Sequence, residues 1–145
     1  MKLKFIFLGK KTSESIDLMI SNYLKRLNVY IKSEYIYLHE KNQIKLEQKI
    51  LSNIKPNTCL IILDENGNKF NTLKYTQFIE EKINRYSSVV FLVGGAYGVS
   101  SNIMNASNYL IALSKMTFPH LLARLILVEQ TYRSFTILHN HPYHH

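Results

Sequence analysis

The stretch Val89-Val90-Phe91-Leu92-Val93-Gly94-Gly95-Ala96-Tyr97-Gly98 decides the fold. Its first half is uniformly apolar and rich in β-branched residues, with no polar face. That pattern predicts a strand buried on both sides, as in a parallel sheet covered by helices. The glycines that follow predict a tight exit from the strand, one that can also bring the backbone close to a ligand. Working outward, Thr58 to Leu63 (TCLIIL) reads the same way, and Lys4 to Leu8 (KFIFL) and Glu34 to Leu38 (EYIYL) read as shorter strands. Tyr109 to Leu113 is a further short apolar piece.

Helical patterns fill the gaps. Ser13 is placed to cap a helix with Glu14 and Asp17 in its first turn, and Ile16, Met19, Ile20, Tyr23, Leu24 and Leu27 repeat at helical spacing. A weaker pattern runs from Ile44 to Ile54 and stops at Lys55-Pro56. After the polar segment Asp64–Asn68, read as a loop, Tyr75, Phe78, Ile79, Ile83 and Tyr86 share one helical face. A short helix is predicted near Ser100 to Ser107, and a long one from Pro119 to about Phe135. Strands alternating with helices predict an α/β fold with a largely parallel sheet flanked by helices. Ligands in such folds sit beyond the carboxyl ends of strands, which points to the loops after Leu63, Val93 and Leu113.

At 145 residues the chain is expected to form one domain, 1–145, with a core of its own. A net charge of +8 favours a polyanionic partner, although a basic surface alone does not select one. Cys59 is the only cysteine, so no intrachain disulfide can form, and its apolar neighbours suit a buried thiol better than a nucleophile. The apolar start is too short for a signal peptide, and no run approaches membrane-spanning length. The expectation is a cytoplasmic protein without a membrane partner. His139, His141, His144 and His145 crowd the tail, but with no Cys or carboxylate beside them they complete no metal set, and no metal is expected.

The glycine loop excludes some chemistry. A phosphate loop of the Walker type needs Lys-Ser/Thr after its last glycine, whereas Gly98 is followed by Val99-Ser100. A dinucleotide fingerprint belongs after the first strand, which here ends in the lone Gly9. A ligand-free tight turn remains an equal reading of the loop alone.

The last third is more specific. Leu113-Ser114-Lys115-Met116-Thr117-Phe118-Pro119-His120, Arg124, Glu129-Gln130, Tyr132-Arg133 and His141-Pro142-Tyr143-His144 form an ordered series. Together with Gly94-Gly95-x-x-Gly98, the series resembles the bacterial large-subunit (23S) rRNA pseudouridine N3-methyltransferases of the SPOUT, or α/β-knot, class. The resemblance spans the chain and is densest from Leu63 onward. It implies a C-terminal trefoil knot, a homodimer with its active site at the subunit interface, and S-adenosylmethionine as methyl donor. The implied acceptor is N3 of a pseudouridine in large-subunit ribosomal RNA, on assembled ribosomes. By the same resemblance Leu63 closes against the adenosine and Gly94 and Gly95 admit the cofactor. Leu113, Ser114, Lys115, Met116, Thr117 and Phe118 wrap its adenine and methionine parts.

Methyl transfer to an imide nitrogen requires alignment and stabilisation of the charge left when the proton departs. Arg133 is the candidate for that electrostatic role or for holding a phosphate. It also stands four residues after Glu129, where an intrahelical ion pair is equally open. Tyr143 is a candidate for stacking on a base and His144 for accepting a proton. Neither is assigned as general base. Arg124 is read as a dimer contact and His120 as a structural hydrogen-bonding residue. The family ends its tail motif with Arg or Lys after Tyr-His, whereas this chain has His145, a weaker phosphate ligand. An RNA binder without catalysis and a methyltransferase of transfer RNA are the rival readings.

Overall fold

A computed structural model describes residues 1–145. Five strands, β1 (Lys2–Leu8), β2 (Lys32–Leu38), β3 (Thr58–Lys69), β4 (Ser88–Val93) and β5 (Tyr109–Ala112), form one sheet in the order β2-β1-β4-β3-β5. Every pairing is parallel. The helices between and after them are α1 (Glu14–Leu27), α2 (Gln43–Leu51), α3 (Thr72–Arg85), α4 (Ser101–Ala106) and α5 (His120–Leu138).

The central strands divide their side chains by the period of two. Leu3, Phe5 and Phe7 of β1 join Cys59, Ile61, Val89, Phe91 and Val93 in a core against α1, α3 and α5. Ile6 and Leu8 join Leu60, Ile62, Val90 and Leu92 in a second core under α2 and α4. Right-handed crossovers require this division. The steps β1 to β2 and β3 to β4 move one way along the sheet, and β2 to β3 and β4 to β5 move the other. Helices α1 and α3 therefore share one face, with α2 and α4 on the opposite one.

The capping residues act as the sequence predicts at the start of α1, where the Ser13 side chain accepts from the Ile16 amide. Three boundaries differ from expectation. Helix α2 ends at Leu51 rather than Ile54, because the side chains of Ser52 and Asn53 both bond the Lys49 carbonyl and peel the chain away. Pro119 caps α5 rather than entering it, and α5 continues past Phe135 to Leu138. The segment Asp64–Asn68 is not a free loop. Leu63 and Asn68 both pair with Ile111, so the chain leaves the ladder and returns to it as part of β3. Gly67 permits the return, since a Cβ there would lie 2.6 Å from the Ile111 backbone.

Candidate functional site

Three loops meet at the carboxyl edge of the sheet. The end of β3 brings Leu63, Asp64 and Glu65, the exit of β4 brings Val93, Gly94, Gly95, Gly98 and Val99, and the segment after β5 runs from Ala112 to Phe118. They enclose a cleft of about 260 Å³, closed below by His120 and Ala123 of α5. A second hollow of about 330 Å³ lies behind Leu113 and Phe118, which line both.

The loop after β4 is a compact turn. Gly98 takes a left-handed φ of 73°, and its amide donates to the Gly95 carbonyl at 3.1 Å. The glycines at its start answer to the protein's own packing. A Cβ on Gly95 would sit 2.8 Å from the Leu8 carbonyl oxygen, and one on Gly94 would meet the Gly98 backbone at 3.0 Å. The segment after β5 is shaped by Ser114, whose hydroxyl accepts from the Met116 amide at 2.8 Å. Of the expected ligand-binding residues, Leu63, Gly94, Gly95, Leu113, Ser114, Met116, Thr117 and Phe118 line the cleft. Lys115 is exposed and is not among the residues that line it. Asp64, Glu65 and His120 line the cleft too and were absent from the sequence expectation. Their only sequence signal is position, just beyond a strand or at a helix start.

The second group of residues assembles elsewhere. Arg133 donates through Nη2 and Nε to Glu129 Oε1 at 2.6 and 3.0 Å, so the intrahelical ion pair is formed. Its Nη1 lies 3.1 Å from His144 Nδ1. A guanidinium can only donate, so Nδ1 is the acceptor and the imidazole proton sits on Nε2. The Tyr143 ring packs under the Arg133 guanidinium at 4.8 Å and edge-on to Tyr132. Its hydroxyl donates to Glu129 Oε1 at 2.9 Å, and burial together with that carboxylate pushes the phenol well above its usual range. Arg133, Tyr143 and His144 thus form one cluster around Glu129. Within this chain it is remote from the cleft. Arg133 lies ten residues beyond Ala123, the nearer of the two α5 residues that line the cleft, about 15 Å along the helix axis.

Arg124 corrects an expectation. It is 1% exposed, so it is not a surface contact. Its Nη2 donates to the Leu8 carbonyl at 2.9 Å, and the guanidinium stands over the rings of Phe7 and Tyr37. Cys59 is fully buried in β3, where burial pushes its thiol up to about 11. No group of three or more His, Cys, Asp or Glu side chains converges anywhere, and no helix is long and apolar enough to cross a membrane.

Comparison with known proteins places these features in company. The family model described as "Predicted SPOUT methyltransferase" matches residues 1–144. A protein of Flavobacterium psychrophilum named ribosomal RNA large subunit methyltransferase H is 39% identical, over 100% of this chain and 99% of its own. A protein of the same name from Clostridium tetani is 37% identical over 99% of each chain. Among solved structures, a probable methyltransferase from Bordetella pertussis Tohama I superposes with a TM-score of 0.60 over 92% of this chain and 93% of its own. At 8% identity, that likeness speaks for the fold alone.

Proposed function

The chain belongs to the SPOUT methyltransferase family, and from that premise we propose that it methylates N3 of a pseudouridine in large-subunit (23S) ribosomal RNA, using S-adenosylmethionine, on assembled ribosomes in the cytoplasm. The observation that carries the reading is the convergence of three strand-end loops on one cleft, reached from residues far apart in the chain. The relatives' shared name supplies the substrate class.

The donor fits the residues present. Leu63, Leu113 and Phe118 offer flat apolar surface for an adenine, the turn at Ser114–Thr117 offers main-chain polar groups, and Asp64 and Glu65 give a negative rim for a sulfonium. When bound, S-adenosylmethionine supplies an electrophilic methyl group. The protein's own work is to hold donor and acceptor in line and to favour loss of the acceptor's N3 proton to solvent, which leaves the nitrogen lone pair free to take the methyl group. Arg133 does the last electrostatically, as a fixed cation beside the base oxygens. Glu129 orients that guanidinium, and Tyr143 and His144 pack it in place. With Nδ1 facing a donor, His144 is left with a protonated Nε2 and serves as a positioning residue rather than a base.

Because about 15 Å of α5 separates Arg133 from Ala123, the nearer α5 residue of its own chain's cleft, the active form in this reading is a homodimer in which each cleft receives the partner's cluster. The knotted passage of the C-terminal part belongs to the same proposal.

The test is incubation of the purified protein with methyl-labelled S-adenosylmethionine and, separately, ribosomes, free ribosomal RNA and transfer RNA, followed by nucleoside mass spectrometry. Label on a pseudouridine of large-subunit RNA is the expected result. Label confined to transfer RNA, or binding of RNA without any transfer, would sink it.

A further inference from the structure

A further cavity, of about 650 Å³, opens on the same edge of the sheet beside the cleft. Its walls are the turns after β1 (Gly9, Lys10, Thr12), β2 (His39, Lys41, Gln43) and β4 (Gly95 to Ser100). Gly95, Gly98, Val99 and His120 line both spaces, so the glycine loop is the partition between them. The cavity lies over neighbouring strands whose connections run in opposite directions, since β1 leads outward to β2 and β4 leads the other way to β5. That is the topological switch point, where open α/β sheets seat ligands.

Its charge is one-sided. Three cations, Lys10, Lys41 and Arg124, line it beside the imidazoles of His39 and His120, against the single carboxylate of Glu40. Glu40 is already engaged by Lys49 at 3.1 Å and by the Asn42 amide. Lys10 and Lys41 are exposed and make no ion pair.

Arg124 is the more telling residue. It is buried, pairs with no carboxylate, and its Nε has no hydrogen-bond partner. A buried cation is ordinarily matched by an acid. Here only the Leu8 and Lys10 carbonyls and two aromatic rings face it. Those same bonds fix the turn at Gly9, held at a φ of 114°, and so preset the position of Lys10. At the rim, Tyr97 is fully exposed, a large ring packed against nothing.

We propose that this cavity seats the RNA strand adjoining the methylated nucleotide, with Lys10 and Lys41 on its phosphates, the field of Arg124 beneath them, and Tyr97 stacked on a neighbouring base. The inference deepens the function proposed above and rests on it. Its volume suits a nucleotide-sized ligand. Leu38, Leu46 and Ile50 give it an apolar lining that the flat face of a base can cover. The shared partition sets whatever occupies it directly beside the cleft. Phosphate contacts of this kind position a strand without reading its sequence, and stacking tolerates any base.

The experiment uses the full-length protein and a fluorescein-labelled single-stranded RNA oligonucleotide carrying 4-thiouridine. Anisotropy titrations at several salt concentrations compare wild type with Lys10→Ala, Lys41→Ala, the double variant and Tyr97→Ala. Each lysine lost should reduce the slope of log affinity against log salt by about 0.7, the single-strand value per phosphate contact. Tyr97→Ala should weaken binding about tenfold. Photocrosslinking of wild type should label the peptide containing Tyr97. Unchanged slopes in the double variant, or crosslinks mapping away from this cavity, overturn the inference. Crosslinking here without methyl transfer overturns the function proposed above and leaves the RNA site standing.

Discussion

Arg133 and Glu129 stand one helical turn apart on α5, and the guanidinium bonds a single carboxylate oxygen twice, at 2.6 and 3.0 Å. The Tyr143 hydroxyl reaches the same oxygen at 2.9 Å. The pair is only partly exposed, so water competes poorly for it. One buried-edge carboxylate therefore anchors both the helix and the tail that folds back on it.

Glu129→Gln should loosen that anchor. The ion pair is reduced to bonds between a charged guanidinium and a neutral amide oxygen, and the Tyr143 bond becomes neutral, at a cost of about 1–2 kcal/mol. For a chain of this size that lowers the melting temperature by several degrees. Calorimetry reads the stability. Limited proteolysis should show the segment after His139 cleaved faster than in wild type; equal protection of the tail would show that Glu129 does not hold it.

Arg133→Ala should leave S-adenosylmethionine binding intact and lower the rate of transfer by roughly 10²-fold, the usual effect of removing one fixed donor from a developing charge. Isothermal titration and single-turnover kinetics separate the two. A loss of cofactor affinity equal to the loss of rate would contradict the division between cleft and cluster.

Gly94→Val crowds the loop after β4, where even a Cβ lies 3.0 Å from the Gly98 backbone. It should abolish cofactor binding and cost about 1–3 kcal/mol in stability. Mixing inactive Gly94→Val subunits with the slow Arg133→Ala subunits should restore activity. Random reassortment makes half the dimers mixed, each with one intact site, so about a quarter of wild-type activity returns. No recovery after verified subunit exchange would mean that each chain completes its own site.

Cys59 should be inert in the native protein. Its thiol is buried and raised to about 11, so the reactive thiolate is scarce at pH 8 and shielded where it forms. A colorimetric thiol reagent should react with denatured protein and hardly at all with native protein. Fast native modification would show that β3 opens readily.

The sequence was most legible where side-chain pattern and backbone agree. The run Val89–Val93 is buried on both faces because its residues alternate between two cores, and its uniform hydrophobicity is the direct signature of that placement. The cofactor candidates from Leu63 to Phe118 were named from strand-end position and family resemblance, and all but Lys115 line one cleft. Lys115 shows the limit of such reasoning. A segment can line a site while one of its side chains points out, and which one does so depends on the turn that Ser114 makes.

Arg124 and the Asp64–Asn68 segment depart from expectation for a related reason. A charged residue on a helix reads as available for contact, and a run of polar residues with a glycine reads as a loop. Neither reading knows that the turn at Gly9 needs donors for its carbonyls, or that Ile111 offers a partner to Asn68. The sequence by itself determined the strand and helix types, the parallel sheet and the stretch that forms the cleft, since periodicity and turn chemistry are local. Only the tertiary structure decided that Arg133 is bound to Glu129 about 15 Å from its own cleft, and that a buried arginine underlies a further cavity across the glycine loop. The Arg133–Glu129 pair is open to a reading of helical spacing, but the bond from Arg124 to Leu8 joins residues more than a hundred positions apart, and no local pattern encodes such a distance.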